Sequence, residues 1–284
     1  MKRKIVIKII ILILLLMMGV LICYPVIFLL TGSIMGNQEI NQELGAILNE
    51  GKGFVSWRLL PMTPTFRHYV ELLLDSPEFF HMFWNSAKIT AGVLIGQLLV
   101  GIPAAWGFAK YDFPLKKFLF FLYLVLMMMP FQVTMLPSYL TLNRMSLIDT
   151  QWSVIFPAVF STFPVFIMYR FFGSVPDALL EAARIDGAGE KAVFLHIALP
   201  MGSSGIIAVF VLGFLEYWNM VEQPLAFLKS KDLWPLSLYL PNISAERAGI
   251  SFAASVITLM PAFLVFLCGK DYLEQGIVAS AVKE

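Results

Sequence analysis

The sequence predicts an all-α integral membrane protein with six transmembrane helices, and two observations lead to that prediction. First, 59% of the 284 residues are hydrophobic and 14% are charged, which is too apolar for a soluble domain whose surface must be wetted. Second, six segments are apolar over the about 20 residues that a helix needs to cross a hydrocarbon core of about 30 Å. These segments are 5–30, 87–109, 118–136, 152–172, 204–220 and 249–267.

The first segment could be a signal peptide or a membrane anchor. The residues Met1-Lys2-Arg3-Lys4 form a basic start of the kind that signal peptides have. However, the apolar stretch that follows is about twice as long as the apolar region of a usual signal peptide, and no small-residue cleavage motif closes it. We therefore expect this segment to remain in the protein as the first span.

The distribution of Lys and Arg predicts that both termini lie in the cytoplasm. Cytoplasmic segments carry an excess of basic residues, and the rule is strongest for short loops close to helix ends. With the amino terminus inside, the cytoplasmic segments hold more than half of the basic residues: Lys2, Arg3, Lys4, Lys8, Lys110, Lys116, Lys117, Arg170, Arg184, Lys191, Lys270 and Lys283. The net charge of +1 provides no basic field for nucleic acid.

The predicted spans organise the chain as one transmembrane domain over residues 1–284. The first span lies in 1–35, and an outer loop of polar character follows in 36–84, where we expect short helices. The other five spans form a core over 85–270, and a cytoplasmic tail occupies 271–284. This core contains the long inner loop 173–201, which is long enough to have a structure of its own.

The inner loop has the pattern helix, turn, helix. Ser174-Val175-Pro176-Asp177 supplies a cap residue, a Pro within the first turn and an acid near the positive helix end. A short apolar helix follows, and Asp186-Gly187 ends it because Gly accepts the left-handed conformation. The second helix runs over 190–198, and Pro200 marks the break before the fifth span.

A hairpin that exposes Ala and Leu to the cytoplasm favours a protein partner. Small side chains permit close approach, so a groove on a soluble protein could take the first helix as a rigid lever. The alternative is an amphipathic loop that rests on the lipid surface. The pattern by itself leaves both interpretations open.

The same residues carry a resemblance to a known family. Glu181-Ala182-Ala183, then Gly187, and nine residues later Ile197-x-Leu199-Pro200 resemble the EAA loop of bacterial ABC importer permeases. Over about residues 60 to 284 the chain is similar to the carbohydrate permeases of the maltose-transporter type. Further matches are Asn85-Ser86, 104–114, Met129-Pro130, Leu136-Pro137, 176–188, Trp218-Asn219, Pro261 and Ala281-Val282-Lys283.

The resemblance implies a type I ABC importer fold in the cytoplasmic membrane of a bacterium. Such importers have two permease halves, which are identical or different, an ATPase dimer and an extracytoplasmic solute-binding protein. In that family the EAA helix is the coupling helix, which docks on the ATPase and carries its motion to the spans. The corresponding residues here are Glu181, Ala182, Ala183, Asp186, Gly187 and Ala188. The family's tail reaches the ATPase interface, which makes Val282 and Lys283 possible further contacts.

Polar side chains at membrane depth are candidates for a transport path, because such groups usually face a partner helix or a wet cavity. Sugars are bound by acids, amides and aromatic faces together. The strongest candidates near the outer part of the fifth span are Glu216, Tyr217, Trp218 and Asn219, and Gln132 in the third span joins them. The alternative is that these residues join helices or form an interfacial aromatic belt.

We expect neither a metal nor a cofactor on this chain. Cys23 and Cys268 are far apart within apolar runs, and the three His residues lack metal-ligand spacing. The segment 187–192 mimics a dinucleotide fingerprint but follows a helix, and 45–53 mimics a P-loop with the wrong spacing. Any ATP must therefore be hydrolysed on a separate ATPase chain, and this chain is not expected to be an enzyme.

The sequence and the resemblance together indicate a permease subunit that forms half of the path for a sugar or oligosaccharide. One alternative is an ABC permease for another solute, such as a peptide or polyamine. A secondary transporter or channel is the other alternative, but it would need coupling-ion acids at mid-depth. Apart from Glu216 the predicted spans offer almost none.

Overall fold

The computed structural model describes residues 2–50, 54, 58, 60–239 and 247–281. In this part of the chain the secondary structure is helical, and no strand forms beyond an isolated bridge between Met35 and Pro64. The predicted all-α class is confirmed. The helices are α1 (Lys2–Ser33), α2 (Asn37–Glu50), α3 (Arg67–Leu74), α4 (Pro77–Lys110), α5 (Lys116–Met127), α6 (Phe131–Arg144), α7 (Trp152–Val159), α8 (Thr162–Gly173), α9 (Asp177–Ile185), α10 (Glu190–Val193), α11 (Leu199–Met201), α12 (Ser203–Trp218), α13 (Glu222–Phe227) and α14 (Ala248–Ala281).

Four segments are long and apolar enough to cross a membrane: Ile7–Ser33, Pro77–Lys110, Trp152–Gly173 and Ala248–Glu274. Two more spans result if each of two bent helix pairs counts as one, so that the total reaches six. Every predicted apolar segment is therefore helical, and the count of six depends on the two bent pairs.

The third predicted segment, 118–136, is two helices rather than one. The axes of α5 and α6 differ in direction by 104°. Pro130 precedes α6 with φ −68° and ψ 149°, an extended conformation that a helix cannot continue through. A Pro also lacks the N–H that would bond to the preceding turn, which explains the position of the bend.

The fourth predicted segment, 152–172, is interrupted near its middle. α7 ends at Val159, and Ser161 adopts an extended ψ of 138° before α8 begins. Pro157 lies inside α7 and Pro164 inside α8. The interruption leaves carbonyl groups at membrane depth that need donors from outside their own helix.

Two compact units make up the chain, and the first consists of Met1–Phe80 with Tyr239–Met260. Here α2 and α3 confirm the short helices predicted for the outer loop. The Glu39 carboxylate of α2 accepts hydrogen bonds from the backbone N–H groups of Met62 and Thr63 and from the Thr63 hydroxyl, at 2.8, 3.2 and 3.1 Å. In addition, His68 Nε2 lies 2.9 Å from the Met35 carbonyl oxygen. Polar contacts thus fasten the described part of the outer loop.

The second unit consists of His81–Leu238 and Pro261–Glu284. One core cluster lies around Trp106, Met168 and Phe172, all of which are buried. The rings of Trp106 and Phe172 meet edge to face at 5.6 Å. Gly96 lies so close to Val159 that a Cβ atom at position 96 would overlap its side chain. Close helix packing of this kind is typical of spans, where small residues let backbones approach.

The loops of this second unit divide between its two ends. At one end Lys110 and Tyr111 contact Asp177 and Glu190. At the other end Asn85 contacts the Asp232 carbonyl oxygen and the Gln151 side chain. Consecutive spans that run up and down through a membrane produce this division of loops.

Candidate functional site

The loop 173–201, which we call the docking hairpin, begins its first helix two residues later than the sequence suggested. Pro176 takes the N-cap position with φ −64° and ψ 129°, and α9 starts at Asp177. The Ser174 hydroxyl instead donates to the Phe171 carbonyl oxygen at 2.7 Å. The prediction that Ser174 caps α9 is wrong, because the preceding helix runs to Gly173 and uses that hydroxyl at its own end.

The turn of the docking hairpin follows the prediction. Gly187 has φ +86°, a left-handed conformation that costs a non-glycine residue about 1–2 kcal/mol. The Gly187 N–H donates to the Arg184 carbonyl oxygen at 3.1 Å, and the Ala188 N–H donates to that of Ala183 at 2.9 Å. These bonds satisfy the last carbonyl groups of α9.

The second half of the docking hairpin, residues 190–201, departs from the prediction at its end. After α10 the chain forms a π-helical turn over Phe194–Ala198, and α11 includes Pro200 without a break. The break comes at Gly202, between helices that differ in direction by 65°. At Gly202 a Cβ atom would come within 2.5 Å of the Phe172 ring, so only Gly permits this bend.

One face of α9 is buried in the hairpin, and the opposite face is open. Leu180 is 2% exposed, and Ala183 and Ala188 are half-buried against the core. On the open face Ile185 is 85% exposed and Leu179 is 47% exposed. Four of the predicted docking residues are also exposed: Glu181, Ala182, Asp186 and Gly187. The arrangement presents an apolar ridge with acidic neighbours.

Charged side chains attach the docking hairpin to the end of α4. Lys110 Nζ lies 2.6 Å from Asp177 Oδ1, and its side chain is only 8% exposed. Arg184 Nε donates to Glu190 Oε1 at 2.7 Å, and the Tyr111 hydroxyl donates to Glu190 Oε2 at 2.8 Å. The hydrogen bond and charge of Lys110 lower the pKa of Asp177. The hydrogen bonds of Arg184 and Tyr111 lower the pKa of Glu190, so both carboxylates stay ionised at neutral pH.

A cavity of about 620 Å³ lies in the second unit beside the breaks in the third and fourth spans. Glu216 and Tyr217 line it from α12, and the interrupted fourth span contributes Ser161 and Thr162. Its remaining wall is largely apolar and includes Met129, Phe131, Phe160, Phe163 and Phe227. Polar groups set among aromatic rings are the pattern of a small-molecule path.

The structure separates the five predicted path residues. Glu216 and Tyr217 line the cavity, whereas Trp218 stacks on Phe214 at 5.4 Å and does not. Asn219 Nδ2 donates to the carbonyl oxygen of Leu215 in its own helix at 2.9 Å. Gln132 Nε2 donates to Glu222 at 2.8 Å, and neither residue lines the cavity. Neighbours in sequence point in different directions because a helix turns by about 100° per residue.

Sequence reasoning missed part of the cavity wall. Ser138 and Gln223 both line it. Ser138 is in a helix whose direction the bend at Pro130 sets, and Gln223 follows the end of α12. Neither residue lay on a face that periodicity could assign, so the sequence carried no signal for them.

Gln97 of α4 is buried next to the cavity. Its Nε2 donates to the Tyr217 hydroxyl oxygen and to the Ala158 carbonyl oxygen, both at 2.8 Å. The Ala158 carbonyl oxygen lies at the end of α7, where it also accepts a hydrogen bond from the Ser161 N–H at 3.1 Å. Gln97 therefore gives the interrupted span a second donor, from outside its own helix.

Two expectations lie outside what these contacts test. Val282 and Lys283 of the tail are not among the described residues. The expectation that the chain carries no cofactor stays a prediction.

Comparison with known proteins gives consistent results. A family model described as "Binding-protein-dependent transport system inner membrane component" matches residues 97–278. An arabinooligosaccharides transport system permease protein, AraQ, from Halalkalibacterium halodurans is 30% identical over 226 residues, which cover 78% of this chain and 81% of that protein. AraQ of Bacillus subtilis is 28% identical over 270 residues, covering 94% and 92%. An sn-glycerol-3-phosphate transport system permease protein, UgpE, from Pectobacterium atrosepticum is 28% identical over 211 residues, covering 72% and 75%.

Solved structures share the fold. A chain from the crystal structure of a bacterial ABC transporter involved in the import of the acidic polysaccharide alginate superposes with a TM-score of 0.81 at 20% identity, and it covers 96% of this chain and 98% of its own. A chain from a bacterial alginate ABC transporter in complex with an alginate pentasaccharide-bound periplasmic protein gives a TM-score of 0.64 at 17% identity, covering 94% and 93%.

Proposed function

This chain belongs to the family of binding-protein-dependent transport system inner membrane components, and from that premise we propose that it is a sugar-import permease subunit of an ATP-driven ABC importer. Its relatives named above transport arabinooligosaccharides or sn-glycerol-3-phosphate. It is thus a multi-pass membrane transport subunit, and the family is not one of enzymes. The observation that carries the mechanism is the open apolar face of α9.

The docking hairpin is the contact with a separate ATPase chain. Ile185 and Leu179 expose apolar surface at the end of the molecule where the basic loop 110–117 also lies. Burial of such side chains in a groove favours association by about 25 cal/mol for each Å² removed from water. The docking set is Glu181, Ala182, Ala183, Asp186, Gly187 and Ala188. A rigid, capped helix suits the transfer of motion from an ATPase.

The basic residues of loop 110–117 support a cytoplasmic location for this end. With that orientation both termini are cytoplasmic, and the tail residues Val282 and Lys283 are on the side of the ATPase. A second permease subunit, identical or different, would complete the path, and a solute-binding protein would deliver cargo from outside. ATP and its Mg²⁺ would bind to the ATPase and not to this chain.

The cargo we favour is a sugar or oligosaccharide. Glu216 and the Tyr217 side chain provide polar contacts, and the aromatic rings in the wall suit the apolar faces of sugar rings. Phosphorylated cargo has less support, because the lining residues among those described include no Lys or Arg to bind a phosphate. Trp218, Asn219 and Gln132 fit a supporting role better than direct contact.

The proposal is tested by uptake into proteoliposomes that contain both permeases, with and without the ATPase. Radiolabelled oligosaccharide should enter only when the ATPase and internal ATP are present. Glu216→Gln should then reduce cargo-stimulated ATP hydrolysis, whereas Asn219→Ala, one turn away and bonded within its own helix, should leave it nearly unchanged. Uptake that persists without ATP would instead identify a secondary transporter or channel.

A further inference from the structure

The end of α4 holds both limbs of the docking hairpin through two adjacent residues. Lys110 binds the start of α9, where its ammonium group contacts Asp177 Oδ1 and the Val175 carbonyl oxygen. Tyr111 binds the start of α10 through Glu190. Since Arg184 of α9 binds the same Glu190 carboxylate, the two limbs and α4 are joined in one network.

Aromatic packing strengthens this attachment from the inside. Trp106, one turn before Lys110 on α4, is 5% exposed and contacts the rings of Tyr111, Phe172 and Phe194. Phe172 ends the span that leads into the hairpin, and Phe194 is in the limb that leads out of it. Dense packing of this kind transmits displacement with little compression.

The other end of the connection is the cavity. Thirteen residues before Lys110 on the same continuous helix, or about 20 Å along its axis, Gln97 donates to Tyr217 and to the Ala158 carbonyl. Tyr217 and Ala158 both line the cavity. α4 therefore contacts the docking hairpin at one end and the cavity wall farther along.

We propose that Lys110 and Tyr111 are positioning residues that fasten the docking hairpin to α4, so that displacement of the hairpin moves the cavity wall through Gln97. The inference rests on the proposed function, because it assumes that an ATPase moves the hairpin. It adds a specific route: the second span, rather than the fifth span alone, carries the motion inward from the hairpin.

Lys110→Met tests this route in proteoliposomes that hold the complete complex. The variant keeps an unbranched apolar stem at position 110 and removes the ammonium group with its charge. We expect the ATPase to co-purify as it does with the unaltered chain, while sugar uptake per ATP hydrolysed falls by about two- to thirtyfold, the range of couplings along such networks. Lys110→Arg can still donate to Asp177 Oδ1 and to the Val175 carbonyl oxygen. This variant should therefore keep most of the sugar uptake per ATP hydrolysed.

Lys116→Met is the matched control. Lys116 pairs with Asp112 four residues earlier at 3.1 Å, at the same end of the molecule but in a contact that stays within its own loop. Its uptake-to-hydrolysis ratio should match that of the unaltered complex. An equal fall in this control would mean that any loss of basic charge there impairs transport, and the assignment to Lys110 would fail.

Tyr111→Phe keeps the inference testable if Lys110→Met does not assemble. It removes one hydroxyl from the Glu190 network and retains the ring that packs on Trp106, and it should lower the same ratio. An unchanged ratio in an assembled Lys110→Met complex, or in Tyr111→Phe, would overturn the route. Loss of ATPase co-purification in Lys110→Met would also overturn it, by making Lys110 part of the docking surface. If the unaltered complex itself shows no ATP-dependent uptake, the proposed function fails instead.

Discussion

Gln97 donates a hydrogen bond of 2.8 Å to the phenolic oxygen of Tyr217 and joins the second span to the fifth. Gln97 is 2% exposed, and its Oε1 has no hydrogen-bond partner within the described residues. A buried amide that is only partly satisfied is costly in an apolar setting. What offsets this cost is the pair of bonds from its Nε2, one of which serves the broken fourth span at Ala158.

Replacing Gln97 by Met should destabilise the protein modestly. The change removes two donated hydrogen bonds but also removes the unsatisfied Oε1, so the expected loss in the free energy of unfolding is about 1–2 kcal/mol. A lower midpoint of thermal unfolding in detergent would confirm it. Ser255→Ala is the control, because the Ser255 hydroxyl donates to Ser251 within one helix and should matter little. If Gln97→Met were as stable as the unaltered protein, the hydrogen bonds of Gln97 to Tyr217 and Ala158 would not stabilise the fold.

Gly187→Ala should weaken the coupling of transport to ATP hydrolysis. No atom lies within 4 Å of a Cβ at this position, so the penalty comes only from φ +86° and amounts to about 1–2 kcal/mol. The turn can relieve that strain only by reorienting α9. Gly189→Ala is a close control, since a Cβ there also meets nothing within 4 Å and its φ is −71°. In Gly187→Ala, both the amount of ATPase that co-purifies and the sugar uptake per ATP hydrolysed should fall. In Gly189→Ala, both should equal those of the unaltered chain. Equal behaviour of the two variants would contradict the requirement for a left-handed turn.

Ile185→Ala should reduce affinity for the ATPase without reducing the stability of the permease. Ile185 is 85% exposed, so truncation creates no cavity, yet a buried contact of this size contributes about 1.5–3 kcal/mol to association. That range corresponds to a roughly ten- to hundredfold larger dissociation constant for the ATPase. Titration of the permease into fluorescently labelled ATPase can measure it. Leu115→Ala, at an exposed apolar position in another loop, should bind as tightly as the unaltered chain. An affinity unaffected by Ile185→Ala would favour the lipid surface as the neighbour of α9.

The sequence predicted the helical class and the turn at Gly187, because apolar length and Gly at a helix end are local signals. The bend at Pro130 and the interruption at Ser161 were not predicted. Both occur within continuous apolar runs, where hydropathy gives no sign of direction and Pro is tolerated. Segment 118–136 was consequently predicted as one straight span, whereas the structure has two helices there.

The site was harder to predict than the fold, because its contacts join residues that are distant in the chain. The partners Lys110 and Asp177 are 67 positions apart, and Gln97 and Tyr217 are 120 apart. Composition indicated that Glu216 could serve a path, but only the direction of α12 separates it from Trp218. Sequence periodicity assigns faces within one helix and cannot say which other helix lies opposite.

Glu39 provides a prediction about pH in the outer loop. Burial raises the pKa of Glu39, but hydrogen bonds from the Met62 and Thr63 amides and from the Thr63 hydroxyl, with the charge of Arg58, outweigh burial and lower it below 4.5. A carboxylate whose pKa is lowered by folding contributes its full stabilisation at any pH above the pKa that it has in the unfolded chain. That stabilisation is lost as the pH falls through the lowered pKa.

The amides of Met62 and Thr63 should therefore stay protected from hydrogen exchange between pH 7 and about pH 5, after correction for the intrinsic rate. Protection should decline only below the ordinary pKa of 4.5, as Glu39 takes up a proton. Glu39→Gln has a single oxygen to accept bonds and no charge, so it should lose protection at every pH in this range. Arg67→Gln is the control: its ion pair with Glu71 is solvent-exposed and worth little, so protection should persist. A loss of protection that begins near pH 6 in the unaltered chain would place the controlling group elsewhere, because a carboxylate with a lowered pKa cannot titrate there.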